Sequence, residues 1–230
     1  MLRVWLDLSI SLLSCQNKFM YSLPYFKEED KEEVLRFMHA HTFVMLCGCD
    51  RDGKPVVTQV PVLIREIDGQ LFLEGHVMKN TDHHKAFVQN PNALAVFIGA
   101  HTYVSASWYS NPVQASTWNY QSVHVRGKLR FLEEVDLRRI LEETTSKYEQ
   151  NEQSPALFKH LTDDYVNRLI KSIVGFEMKV DTIENVFKLS QNRDEKSFHS
   201  IMDKLNERDS DARKIASEME RIRPGLFNKE

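Results

Sequence analysis

Three stretches of this chain carry residue types able to do chemistry. The first is His76, Lys79, Thr81, His83, His84 and Lys85, read as a loop running into a helix. A helix start offers unpaired N–H groups and the positive end of its dipole, and two lysines and a hydroxyl add donors, which together suit a phosphate. The plainer reading is a solvated helix start. The second stretch is Ala106–Gly127, which sets Trp108, Tyr109, Trp118 and Tyr120 among Asn, Gln, Ser and Thr and holds two of the three tryptophans. Rings supply stacking surface and amides supply orientation, so it could line a pocket for a flat polar ligand. Here the plainer reading is a buried hairpin with ordinary core aromatics. The third is Lys188-Leu189-Ser190-Gln191-Asn192-Arg193, a polar cluster closing an apolar strand. Its plainer reading is a strand-to-helix turn in which Asn192 or Asp194 caps the next helix.

The elements that must position these groups follow from periodicity. A helix is predicted over Glu28–His39, with Val34, Leu35 and Met38 as its apolar stripe and acidic residues in its first turn. Strands are predicted over Phe43–Cys49, Pro55–Arg65 and Gln70–Glu74. The turns between them carry Asp52-Gly53 and Asp68-Gly69, and Pro61 marks an edge or bulge. A helix capped by Thr81 or Asp82 runs to Gln89. Ala93–Ile98, Thr102–Trp108 and Val123–Leu132 read as strands, and Glu134–Asn151 and Leu161–Lys171 as helices. Ile173–Val180 and Ile183–Leu189 form a further strand, and Glu195–Asn206 and Asp211–Ile222 are amphipathic helices. A meander with an inserted helix closes most readily as a small barrel, so the fold class is α+β.

The 230 residues carry a net charge of −3, which gives no support to a dedicated nucleic-acid reader. The basic residues of the last two helices are balanced by acidic ones and read as solvated faces. Three cysteines are too few for a disulfide framework and suit a reducing, cytoplasmic setting. Cys47 and Cys49 share a strand face but lack a second ligand pair, and the histidines have no fixed ligand spacing, so no metal site is expected. Residues 1–19 read as a disordered extension or a non-native start, with Met20 as the working start. Their apolar core is short, is interrupted by Asp7 and cannot span a bilayer. No Ser-His-Asp order, glycine-rich nucleotide loop or paired-carboxylate motif stands out.

From Met20 to about Ile222 the chain resembles the PaiB family of FMN-binding negative transcriptional regulators. The resemblance rests on MYSLPYFK, DGKPVVTQVP, GHVMKN, NPNALAVFIGAHTYVSASWYS, STWNYQSVHVRGK, IVGFEMKV and KLSQNRDEK. It implies a split antiparallel β-barrel of the pyridoxamine-phosphate-oxidase-like kind, with peripheral and C-terminal helices. The barrel domain would span 20–193 and a helical segment 194–230. The resemblance also implies a homodimer with FMN at its interface. By position, His76 and Lys79 match the family's Gly-His-x-x-basic segment, and Lys85 the basic position on the following helix where related barrels hold the phosphate. Trp108, Trp118, Asn119 and Tyr120 match the aromatic loop, and Lys188, Ser190, Gln191 and Asn192 the KLSQN segment, while Thr81 joins the candidate cofactor residues through the helix-start reading above. This chain departs from the family in two places. Thr81-Asp82-His83-His84-Lys85 stands where Asn-Pro-Gln-Trp-Arg is frequent, and Ala115-Ser116 stands where Val-Pro precedes Thr-Trp-Asn-Tyr.

The resulting expectation is an FMN-binding regulator rather than an enzyme, with DNA as a partner that charge does not support. Two alternatives stay open: a flavin-dependent oxidoreductase of the split-barrel class, and a haem-binding split barrel, for which no axial histidine can be chosen.

Overall fold

The computed structural model describes residues 23–223, so the reading of residues 1–19 and of Met20 lies outside the described residues. Seven strands are formed: β1 Phe43–Cys49, β2 Pro55–Pro61, β3 Leu63–Ile67, β4 Gln70–Met78, β5 Asn92–Val104, β6 Thr117–Phe131 and β7 Ile173–Lys188. They make one antiparallel sheet in the order β2-β1-β5-β6-β7-β4-β3. The two edge strands, β2 and β3, are consecutive in sequence, and only Val62 lies between them. Val62 is buried and its N–H donates to Thr42 O at 2.8 Å. The chain thus crosses from one edge to the other at a single residue and curls the sheet into a split antiparallel barrel. Pro61, which has no N–H to give, ends the first ladder there. The single strand expected over Pro55–Arg65 is therefore two strands on opposite edges.

Three other elements differ from the sequence reading. β4 continues past Glu74 through His76 to Met78, because Val77 is a core residue and the ladder runs on to Met78↔Ile173. The two strands expected over 93–108 are one strand, β5, with a register shift between Ile98 and His101. A short 3-10 turn, Ala106–Trp108, replaces the end of the second. β6 begins at Thr117, well before Val123, since Trp118, Asn119 and Tyr120 pair with Tyr103, Thr102 and His101. Its inward positions Asn119 and Gln121 are polar, which hides the strand's alternation from a hydropathy reading.

Helices fill both barrel ends. α1, Lys31–Ala40, and the C-terminal pair α5, Glu195–Asn206, and α6, Ser210–Ile222, stop one end. α2, Asp82–Gln89, stops the other and buries Ala86 and Phe87. The helical spacing of Ala212, Ile215, Ala216 and Met219 turns one face of α6 into the same core as Phe97, Val123 and Phe187. Burying a residue of the Ile or Met type is worth roughly 2 kcal/mol, so these helices are part of the barrel's stability. α6 also answers the polar inward face of β6: Gln121 Nε2 donates to Glu218 Oε2 at 3.2 Å, and Asn119 Nδ2 lies 3.5 Å from Met219 Sδ. α3, Glu134–Glu149, and α4, Asp163–Leu169, cover the outside of β4 and β7 over a small core of Leu137, Val166 and Ile170. Glu74, 2% exposed, ties this layer together. Its carboxylate accepts from Arg139 of α3 at 2.8 and 2.9 Å and from Arg65 of β3 at 3.0 Å.

Candidate functional site

The residues singled out in the sequence fall at two places on strand β7. His76 faces Gly175 near its start, while Tyr120 faces Lys188 at its end. These partners are thirteen positions apart, roughly 40 Å of extended strand at about 3.3 Å per residue. Within one chain the structure does not bring the phosphate segment and the aromatic loop together.

At the Lys188 end the second and third stretches meet. A cleft of about 210 Å³ opens between them. Asn119, Lys188, Ser190 and Asn192 line it, and so do Tyr25, Phe26, Ser116, Thr117 and Arg193. Lys188 Nζ donates to Thr117 Oγ1 at 2.5 Å and sits 5.6 Å from the Phe26 ring centre. Burial, and then the nearby Arg193 charge, push the Lys188 ammonium below its ordinary pKa. The Arg193 guanidinium carbon lies 4.0 Å from the Tyr109 ring centre, and the side chain donates to that of Gln114. The turn carrying these cations is held by its own side chains. Ser190 sits at φ 60°, a left-handed conformation uncommon outside glycine, and its hydroxyl donates to the fully buried Asn119 at 3.1 Å. Gln191 is turned inward: its Oε1 accepts from Leu189 N–H at 2.7 Å and its Nε2 donates to Phe187 O at 2.6 Å. Asp194 caps α5, and its carboxyl is drawn down to about 2 by the Ser197 hydroxyl and N–H, with Ser110 adding to the pull. Among the described residues, Tyr109 Oη is the buried side-chain polar atom with no partner.

The other end of β7 is built differently. Thr81 caps α2, accepting from His84 N–H at 3.3 Å, and Asp82 Oδ1 accepts from His83 N–H at 2.7 Å. The helix start thus satisfies part of its own N–H array and adds a carboxylate there. Lys79 Nζ approaches Ile170 O, at the C-terminal end of α4, at 3.5 Å, a favourable place for a cation. Lys85 is exposed, and its side chain meets no partner among the described residues. The His84 ring packs against Phe131 at 4.8 Å, and its pKa is lowered by burial and then by His83, Lys79 and Lys85. His76 points away from the barrel core on the face covered by α3, and burial lowers its pKa.

Between the two ends runs the outward face of β2, β1, β5 and β6, which is apolar around Phe43, Val57, Ile98 and Trp118 and polar at Gln59, His124 and Arg126. Phe43 is 62% exposed, Trp118 53%, Val57 53% and Ile98 45%, with Tyr103 and half-buried Met45 and Val96 beside them. Trp118 gathers His101 and Tyr103, each with its ring centre 6.0 Å away. Tyr120 is half-buried on the same face. Trp108 is different in kind: it packs against the core, with the Arg208 guanidinium 5.9 Å from its ring centre. Sequence reasoning missed Tyr25, Phe26 and Arg193 as cleft residues. Arg193 was visible as the last residue of the third stretch, but Tyr25 and Phe26 had only the MYSLPYFK resemblance to mark them.

The architecture defines the class first: this is a split barrel shared with flavin proteins. The protein described as a "putative 5-nitroimidazole antibiotic resistance protein" from Bacteroides thetaiotaomicron superposes with a TM-score of 0.51 at 19% identity, over 69% of this chain and 84% of that one. The FAD and heme binding protein from Mycobacterium smegmatis superposes with a TM-score of 0.50 at 13% identity, over 70% of this chain and 73% of that one. The family follows from sequence. The model described as "Putative FMN-binding domain" matches residues 20–182. Protease synthase and sporulation protein PAI 2 of Bacillus subtilis (strain 168) is 34% identical over 202 residues, 87% of this chain and 97% of the relative. The chain belongs to this FMN-binding domain family, the PaiB family. No helix among the described residues is long and apolar enough to cross a membrane.

Proposed function

We propose that this protein is a homodimeric, cytoplasmic FMN-binding regulator that lowers expression of its target genes, the role its resemblance to the PaiB family implies; the name of its Bacillus subtilis relative refers to protease synthase and sporulation. The observation that carries the reading is the match to that relative over nearly its whole length. The fold supports it through the apolar part of the outward face of β2, β1, β5 and β6. A monomer rarely leaves so large a connected apolar face in water, and a second copy is its natural cover. A two-fold axis crossing the strands lays the Trp118 end of each chain against the Lys79 end of its partner. One FMN then spans two protomers. Lys79, Thr81 and Lys85 hold its phosphate, and Trp118 and Tyr120 of the other copy face the isoalloxazine. His76 and Trp108 act from behind, as packing. The flavin supplies redox chemistry when bound, and the chain supplies the seat, the apolar cover and the phosphate charge. Regulation acts through this dimer, and direct reading of DNA has no support from charge, because the chain is mildly acidic.

The test is an absorbance spectrum and FMN titration of the purified full-length protein, with sedimentation to give its mass. The expected result is a flavin band, one FMN per chain and a dimer. A colourless monomer that takes up no added FMN overturns the reading.

A further inference from the structure

The cleft at the Lys188 end has a chemistry of its own. Two cations, Lys188 and Arg193, line it together with the hydroxyls of Ser116, Thr117 and Ser190 and the amide of Asn192, and no carboxylate does so among the described residues. The neighbouring acid, Asp194, keeps its charge but caps α5 through Ser197 and accepts from Ser110, outside the residues that line the cleft. Arg193 enters no ion pair among the described residues, and the side chains it meets, Gln114 and Tyr109, are neutral. Like charges this close repel and depress the Lys188 pKa further than burial alone. The turn between them is held rigid at a conformational cost, with Ser190 left-handed and Gln191 bonded to backbone on both sides. Strain of this kind collects at ligand sites.

We propose that this cleft binds the phosphate group of a small phosphomonoester distinct from the flavin. A phosphomonoester carries a charge of about −1.5 to −2 at neutral pH and three acceptor oxygens, which matches two cations and a ring of hydroxyl and amide donors. The guanidinium fork suits such oxygens in pairs. The cleft, about 210 Å³, accommodates a phosphate and a few further atoms, and the exposed Tyr25 ring beside it would receive the ligand's body. Pockets that enclose a whole larger ligand run from about 300 Å³ upward, so the cleft is small for FMN itself. The inference goes beyond the flavin reading and does not require FMN to bind.

The experiment is calorimetric titration of inorganic phosphate into the full-length protein in phosphate-free buffer, with and without saturating FMN. One phosphate per chain is expected in both conditions, weakened at least tenfold in Arg193→Gln and in Lys188→Gln, with the FMN affinity of Arg193→Gln changed less than twofold. Arg193→Lys should fall between. Arg193 lies on a surface turn, so Arg193→Gln carries the test if Lys188→Gln melts early. Absence of phosphate binding, or binding unchanged in Arg193→Gln, overturns the proposal. So does loss of phosphate on FMN saturation, which would make the cleft the flavin's own phosphate seat. Absence of FMN uptake is read in the same titrations and counts against the flavin reading alone.

Discussion

The two ends of β7 use the same residue types in opposite ways. Beside Gly175, Lys79, Thr81 and His84 serve the fold within the chain, while Lys85 stays exposed on α2 for the flavin phosphate proposed there. Lys79 faces the carbonyl end of α4, Thr81 caps α2, His84 packs on Phe131, and Asp82 sets a carboxylate among them. Beside Lys188, the cations are gathered around a concave surface that no carboxylate lines among the described residues, and a strained turn is fixed by buried hydrogen bonds to keep them there. Charge count alone does not make an anion site. The counter-charges and the shape of the surface around the cations matter as much.

Four substitutions or conditions sharpen that contrast. The largest effect is expected at the waist between the two ends. A Cβ on Gly127 would lie 2.0 Å from Lys179 O, a backbone atom that cannot step aside. Gly127→Ala should cost about 3 kcal/mol or more, the upper range of overpacking, and should loosen both ends together in hydrogen exchange. If the variant melts with its parent, β6 and β7 are not in the contact described. Glu74→Gln comes next. It removes the buried charge that Arg139 and Arg65 share and should destabilise by about 3 kcal/mol, read as a drop in urea midpoint. The loss should loosen α3 and the His76 end while the Lys188 end keeps its exchange protection. Equal loosening at both ends would erase the distinction.

The pH dependence is a smaller test of the same end. Burial holds the His76 imidazole below its ordinary pKa of 6.5, and burial followed by neighbouring cations does the same for His84 and His124. The unfolded chain therefore takes up protons first, and stability is expected to fall as pH drops below about 6.5. Glu74 is held down, despite the opposing effect of burial, by hydrogen bonds from Arg139 and Arg65. Its share of stability is present above its ordinary value of 4.5 and is lost only as pH falls further. Urea midpoints between about pH 7.5 and 5.5 thus isolate the histidines, and His76→Asn should flatten part of that slope. A slope unchanged by the substitution would mean that His76 is not buried as described. The smallest effect is at Tyr109, whose hydroxyl is buried without a partner. Tyr109→Phe should be neutral or stabilising by about 1 kcal/mol. A clear loss of stability would show that the hydroxyl has a partner.

Much of the fold was legible because burial is periodic. The apolar spacing of α1, α5 and α6 and the Gly turns after β1 and β3 place those elements nearly where they lie. The start of β6 was not legible, since Asn119 and Gln121 point inward and are satisfied by Met219 and Glu218, far away in sequence. The end of β4 was hidden for a related reason: Glu74 and His76 look like a loop entry until Arg139 and α3 cover them. The union of the second and third stretches into one cleft follows from the β6–β7 register, which no local pattern reveals. The separation of the Lys79 segment from that cleft has the same origin. Pairing across the sheet, and not residue type, determines which of these groups can share a ligand.

The most direct test of the account is a mixed dimer. Lys85→Ala and Trp118→Ala chains, each expected to lose tight FMN binding as a homodimer, are co-expressed with different tags and the heterodimer isolated. If each flavin site takes Lys85 from one chain and Trp118 from the other, one site in the heterodimer is intact and the other doubly altered. The account predicts one FMN per heterodimer at the parent's affinity. A heterodimer with no site of parental affinity would contradict it, because both residues would then serve the flavin from within a single chain.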